Sequence, residues 1–193
     1  MVDKVYLVRH GRTALNAAGL LRGRLDEPLD EVGRGEAAAL ADVFAGVPLR
    51  EIVSSPLARS LDTARCIAER QGAKVHTLHD LIDRDYGPWS GKTLESVERR
   101  YGSIDRAPAE EVEDKEAFRR RLVEALSSVM RRNGGGNVMI VAHDAVNRAL
   151  IRHYRPDLAE IPQPTGCWNL LEFDGASPTC RVIGALPGDG QTP

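Results

Sequence analysis

Val5-Tyr6-Leu7-Val8 is an unbroken apolar run that stops at Arg9-His10-Gly11. A run without polar alternation is covered on both faces, so it predicts a buried strand at about 4–9. In open α/β sheets, ligands sit just past the carboxyl ends of the strands. Arg9 and His10 therefore stand where chemistry is expected, and Gly11 lets the backbone turn beside them. The pattern returns at Val138-Met139-Ile140-Val141-Ala142-His143, again an apolar run closed by histidine. A histidine so placed can act as nucleophile, general base or metal ligand. For Arg-His-Gly alone, a strand-end histidine with a satisfied hydrogen bond is the commoner reading.

The intervening chain alternates helix and strand patterns. After Leu29-Asp30, Ala37, Leu40, Ala41 and Phe44 recur at helical spacing, and Gly46-Val47-Pro48 ends that helix. Glu51–Ser55 reads as a strand. Pro56 opens a helix at about 57–71, with Arg59 in its first turn. A cation there opposes the helix dipole unless it faces an anion. Residues 73–78 form a third strand, 92–102 a short helix and 103–112 a polar loop. Residues 113–132 form an amphipathic helix carrying Phe118, Leu122, Leu126 and Val129, stopped by Asn133-Gly134-Gly135-Gly136. The 137–143 strand and a 145–153 helix follow. Trp168–Phe173 and Thr179–Ile183 are expected to pair as a hairpin turning at Asp174-Gly175, with a loose tail after about 187. The expected fold is α/β: a three-layer α/β/α sandwich with a mostly parallel central sheet, in one domain over residues 1–193. Residues 11–29 form a long polar segment without period, and such loops are usually functional. They bring Arg12, Asn16, Arg22 and Arg24 towards His10, with Arg24 read as a surface residue.

Composition narrows the function classes. A net charge of -2 carries no basic footprint for nucleic acid, and the basic residues of 119–132 read as a solvated face. The apolar runs are too short to span a membrane, and Met1-Val2-Asp3-Lys4 enters a strand without a signal-peptide core. Cys66, Cys167 and Cys180 lack the spacing of a disulfide framework or a zinc site, so they are expected as small buried hydrophobes in a reducing cytoplasm. Trp168 and Leu170 are expected in the core, and a homodimer is left open.

Ser54-Ser55-Pro56-Leu57-Ala58-Arg59-Ser60-Leu61-Asp62-Thr63-Ala64, Asp83-Arg84-Asp85-Tyr86-Gly87-Pro88-Trp89-Ser90-Gly91 and Val138–His143 follow the opening R-H-G-x-T-x-x-N in order. Together they resemble the histidine phosphatase superfamily, the phosphoglycerate-mutase-like proteins, over about residues 4–173. The resemblance implies that His10 attacks phosphorus and becomes phosphohistidine. It implies that Arg9, Arg59 and His143 hold the phosphoryl oxygens and that Asn16 adds a hydrogen bond. Asp83 aligns where the family commonly has a glutamate proton donor, one methylene longer, with Asp85 and Glu95 as fallbacks. No metal or other cofactor is implied, because arginines supply the positive charge.

Departures from the pattern concern substrate contacts. Asp144 follows the second histidine where glycine is common. It is expected as the N-cap of the 145–153 helix, or else as a substrate contact. Leu20-Leu21-Arg22-Gly23 replaces R-x-Q-G, which makes Arg22 and Gly23 candidate substrate-binding residues. Glu110-Glu111-Val112-Glu113 is expected to cover the pocket. The implied activity is a metal-independent, histidine acid phosphatase-type phosphomonoesterase acting on a small phosphate ester. The alternatives are a phosphoglycerate mutase and a catalytically weak phosphate-binding module.

Overall fold

The computed structural model describes residues 2–158, 160–174 and 177–193. The elements in chain order are β1 (Val2–Arg9), α1 (Ala14–Ala17), α2 (Glu31–Phe44), β2 (Leu49–Ser54), α3 (Ala58–Gln71), β3 (Val75–Thr77), α4 (Leu94–Tyr101), α5 (Lys115–Asn133), β4 (Gly136–Ala142), α6 (Asp144–Tyr154), β5 (Trp168–Asp174) and β6 (Ser177–Ala185). Of the expected hairpin turn at Asp174-Gly175, Gly175 lies outside the described residues.

One sheet runs β3-β2-β4-β1-β5-β6. The β3–β2, β2–β4 and β4–β1 pairs are parallel, and β5 and β6 add antiparallel pairs. The central runs are apolar throughout because each face meets its own helix layer. Val5, Leu7, Val138 and Ile140 pack with α5 and α6, including Leu122, Leu126, Val146 and Leu150. Tyr6, Val8, Met139 and Val141 point the other way, onto Leu40 and Phe44 of α2 and Ile67 of α3. Trp168 and Leu170 belong to this second layer, so both are core. Cys167 is buried, whereas Cys66 and Cys180 are half-buried; all three are free. Among the described residues, no helix is long and apolar enough to cross a membrane.

β1 and β4 pair directly, Arg9 opposite Ala142, so their closing histidines emerge side by side. Sequence periodicity does not show α1, since a four-residue helix has no period. Thr13 and Asn16 build it instead: the Thr13 hydroxyl accepts from Asn16 N, and Asn16 Oδ1 accepts from Thr13 N.

The turn after His10 depends on a backbone contact. A Cβ on Gly33 would lie 2.0 Å from Arg12 O, and one on Gly11 would lie 2.3 Å from Gly33 O. The first turn of α2 thus packs against the 11–12 backbone with no room for a methyl group. Gly33→Ala should destabilise the fold by about 3 kcal/mol, the upper end of overpacking costs. Gly35→Ala, in the same helix with nothing near its added Cβ, should stabilise by up to about 1 kcal/mol. Urea midpoints of the two variants check this, and equal midpoints would refute the contact's importance.

Candidate active site

His10 is fastened before its ring is considered. Its N–H donates to Ala142 O at 3.0 Å, and its carbonyl accepts from Gly166 N at 3.2 Å. The ring is 1% exposed. Nδ1 lies 2.7 Å from Gly11 O, and a carbonyl only accepts, so Nδ1 carries the proton. Arg59 Nε donates to Nε2 at 3.2 Å, and a guanidinium only donates, so Nε2 keeps its lone pair. These two partners set the tautomer. Burial, then the charges of Arg59 and Arg9, hold the imidazole well below its ordinary pKa. His10 is therefore neutral at pH 7.

Arg59 is fully buried, and the 11–29 loop holds it there. Its Nη1 donates to Leu25 O at 2.7 Å and its Nη2 to Gly23 O at 2.8 Å. Gly23 is required at its position: its φ is +51°, and a Cβ would meet Ser90 Oγ at 3.0 Å and the Tyr86 ring at 3.1 Å. The same loop delivers Asp26, whose carboxylate accepts from Ala58 N at 2.7 Å and caps α3. The other cations of the segment turn away. Arg12 pairs with Asp30 at 2.8 Å, and Arg24 with Asp85 at 3.2 Å and Glu113 at 3.4 Å. Arg22 alone joins the site from this group, and its buried Nε has no hydrogen-bond partner.

Arg9 reaches under the site. Its Nη1 donates to Gln163 O and lies 4.0 Å from Asp144 Oδ2, while its Nε is unpartnered. Gln163 is itself held by Asn147 at 2.9 Å and by Asn169 at 2.6 Å. His143 is the N-cap residue of α6, and its ring centroid is 5.2 Å from that of His10. Its Nε2 lies 2.7 Å from Ser55 Oγ, and its buried Nδ1 has no hydrogen-bond partner. Burial, then Arg59, lowers its pKa well below the usual imidazole value.

Asp83 comes to this cluster despite its shorter side chain. Its Oδ2 lies 3.5 Å from Arg59 Nη2 and 3.9 Å from His143 Nδ1, and Oδ1 accepts from Arg84 N at 2.9 Å. Burial raises its pKa, outweighing the opposing charge of Arg59. Arg121 clamps the backbone that carries it, donating to the carbonyls of Asp80, Ile82 and Asp83 at 2.7, 2.9 and 3.2 Å. That corrects the solvated reading for Arg121, which is 19% exposed and also pairs with Glu113. Asp85, a fallback donor, is turned to Arg24 and Gly87 N. Glu95 is 78% exposed and pairs with Arg99.

Two further expectations are corrected. Asp144 is not the cap of α6: His143 holds the extended backbone of that position. Asp144 is the first helical residue, and its carboxylate pairs with Arg148 one turn on. Residues 110–113 do not border the cavity onto which Asp83 and Arg22 open. Glu111 instead accepts from Trp89 Nε1 at 2.8 Å and Tyr101 Oη at 2.9 Å. That cavity, about 350 Å³, is bounded by Arg22, Asp83, Tyr86, Asp144 and Arg148. A larger one, about 620 Å³, opens around Arg50, Arg70 and His76 and holds none of the groups above. Asn16 spends its carbonyl on the Thr13 cap. Sequence reading also missed Ser55, Thr63, Gln163 and Arg148 as supports. Thr63 Oγ1 accepts from Gly11 N at 3.1 Å and donates to Arg59 O at 2.8 Å. Arg148 had a readable signal in its four-residue spacing from Asp144; the others depend on contacts remote in sequence.

Known proteins resemble this chain in sequence and in fold. The adenosylcobalamin/alpha-ribazole phosphatase of Salmonella typhimurium is 28% identical over 192 residues, covering 93% of this chain and 95% of the relative. Phosphoserine phosphatase 1 of Hydrogenobacter thermophilus is 33% identical over 155 residues, covering 76% and 74%. Among solved structures, Bacillus stearothermophilus YhfR superposes with a TM-score of 0.86 at 26% identity, covering 95% of this chain and 97% of that one. The sequence profile of the histidine phosphatase superfamily, branch 1, matches residues 5–185. The chain belongs to the histidine phosphatase superfamily.

Proposed function

We propose that the protein is a metal-independent phosphomonoesterase that hydrolyses a small phosphorylated metabolite through a phosphohistidine on His10. The observation that carries this reading is the environment of His10 Nε2. It is a neutral, tautomer-fixed lone pair beside Arg59 and His143, with a buried carboxyl, Asp83, facing the same space. Arg9, Arg22 and Arg59 supply the charge that phosphoryl transfer needs. The relatives named for phosphatase activity on alpha-ribazole phosphate and phosphoserine support a small-metabolite ester as substrate.

The chemistry divides into two displacements. Nε2 forms a bond to phosphorus as the bond to the alcohol oxygen breaks, and that oxygen takes the proton of Asp83. The ring becomes cationic, and its Nδ1–H stays bonded to Gly11 O. Water then attacks phosphorus and gives its proton to the Asp83 carboxylate. The P–N bond breaks and its electron pair returns to Nε2. For attack, Arg59 releases Nε2 and turns its donors to the phosphoryl oxygens with Arg9 and His143. Asn16 adds a donor, and Gly23 acts by holding Arg59. The free cysteines support placement in a reducing cytoplasm.

The test is rapid acid-free quenching of p-nitrophenyl phosphate turnover in EDTA, followed by phosphopeptide mapping. An acid-labile phosphoryl group on His10, formed and lost at the rate of turnover, is expected. Loss of activity in EDTA would refute the metal-free reading. Phosphate retained on His10 and passed only to a monophosphoglycerate, with activity dependent on a bisphosphoglycerate that primes the enzyme, would replace the phosphatase with a mutase.

A further inference from the structure

Asp144 stands between two arginines of unlike surroundings. Its Oδ2 lies 4.0 Å from Arg9, at the base of the site, and its Oδ1 pairs with Arg148 on the next turn of α6. The two side chains are 27% and 36% exposed, so a ligand in the cavity of about 350 Å³ can reach both. That volume falls at the low end of small-molecule sites, about 300–1,000 Å³. We propose that Asp144 and Arg148 form the subsite for the leaving alcohol, and that it selects a hydroxylated ring over one that carries an ammonium, as in the primary phosphate ester of a glycoside. This deepens the phosphatase reading and rests on it.

The argument is one of donors, acceptors and charge. A carboxylate only accepts and a guanidinium only donates, whereas each hydroxyl does both. Vicinal hydroxyls can thus bond the two side chains together without breaking their ion pair. An ammonium on the alcohol would meet Arg9, Arg22 and Arg148 as well as Asp144, and like charges disfavour it. The remaining wall is apolar: Leu21, Leu94 and Ile104 border the same cavity beside Tyr86. Such a wall suits the C–H face of a ring. Burial holds the Tyr86 hydroxyl protonated by raising its pKa. Asp144 also neighbours Arg9, but Arg148 pairs with Asp144 and with none of the phosphoryl-transfer groups, so its place at the cavity calls for another role.

The experiment compares matched esters: a methyl pentofuranoside phosphorylated at its primary hydroxyl, tetrahydrofurfuryl phosphate without ring hydroxyls, and prolinol phosphate with a ring ammonium. The wild type should favour the pentofuranoside over tetrahydrofurfuryl phosphate by about tenfold or more in kcat/KM, a hydrogen-bonded site's discrimination against an analogue lacking the hydroxyls. The ratio should fall towards unity in both Asp144→Asn and Arg148→Met. A wild-type ratio near unity, a ratio unchanged in both variants, or fastest turnover of prolinol phosphate would overturn the proposal. If no ester is hydrolysed, the phosphatase reading fails on its own. Calorimetric Kd values for the same esters on His10→Ala then decide the subsite: a tenfold preference supports it and equal Kd values overturn it.

Discussion

His10→Ala should lower kcat/KM for p-nitrophenyl phosphate by about four orders of magnitude or more, the scale seen when a covalent nucleophile is removed. The effect is large because both displacements use the same atom. His143 does not replace it in this mechanism: its Nε2 is turned to Ser55, and its unpartnered Nδ1 is the atom left to meet the phosphoryl oxygens. The arginines need not leave with the ring. Arg59 keeps its bonds to Gly23 O and Leu25 O, and Arg9 its bond to Gln163 O. The variant should therefore still bind orthophosphate, measured by calorimetry. A folded variant that retains turnover within tenfold of wild type would remove His10 from the mechanism.

Asp83→Asn should separate substrates by leaving group. General acid catalysis contributes typically about 10²- to 10⁴-fold. An alkyl alcohol needs the proton, so its kcat should fall by about that factor. A p-nitrophenolate leaves without one and should lose far less. The pH profile supplies the sign. The carboxyl must be protonated to act, and burial raises its pKa, so activity on alkyl esters persists at low pH and declines as pH rises through that raised value. The asparagine variant should lack this decline. His10, with its lowered pKa, restricts activity only at the acid end. Equal losses on both esters with an unaltered profile would assign Asp83 a structural part and send the search for the acid elsewhere.

The layered sheet was legible because its evidence is local. Unbroken apolar runs report strands covered on both faces, and the spacing of Leu40 with Phe44 or Leu122 with Leu126 reports helix faces. The β1 and β4 runs each end in histidine, which placed both at one sheet edge before any pairing was known. The Asp144 reading shows the limit. Asparagine-like residues after a strand favour the cap position, but here His143 already has the extended backbone, and Arg148 draws the carboxylate away. Arg121 looked like one of several surface cations. Only the approach of the 80–83 segment gives it carbonyls to bind.

The ordered motifs, through the family they resemble, therefore nominated the candidate residues: the strand-end histidines, Arg9, Arg59 and a carboxyl in the 83–91 segment. Tertiary structure decided their states. The His10 tautomer needs Arg59 from 49 residues away, and Arg59 needs carbonyls from the 11–29 loop. The Gly11 turn needs Gly33. Proton position, charge state and open volume depend on what else is packed within a few ångströms, and in this fold those neighbours come from segments far apart in the chain.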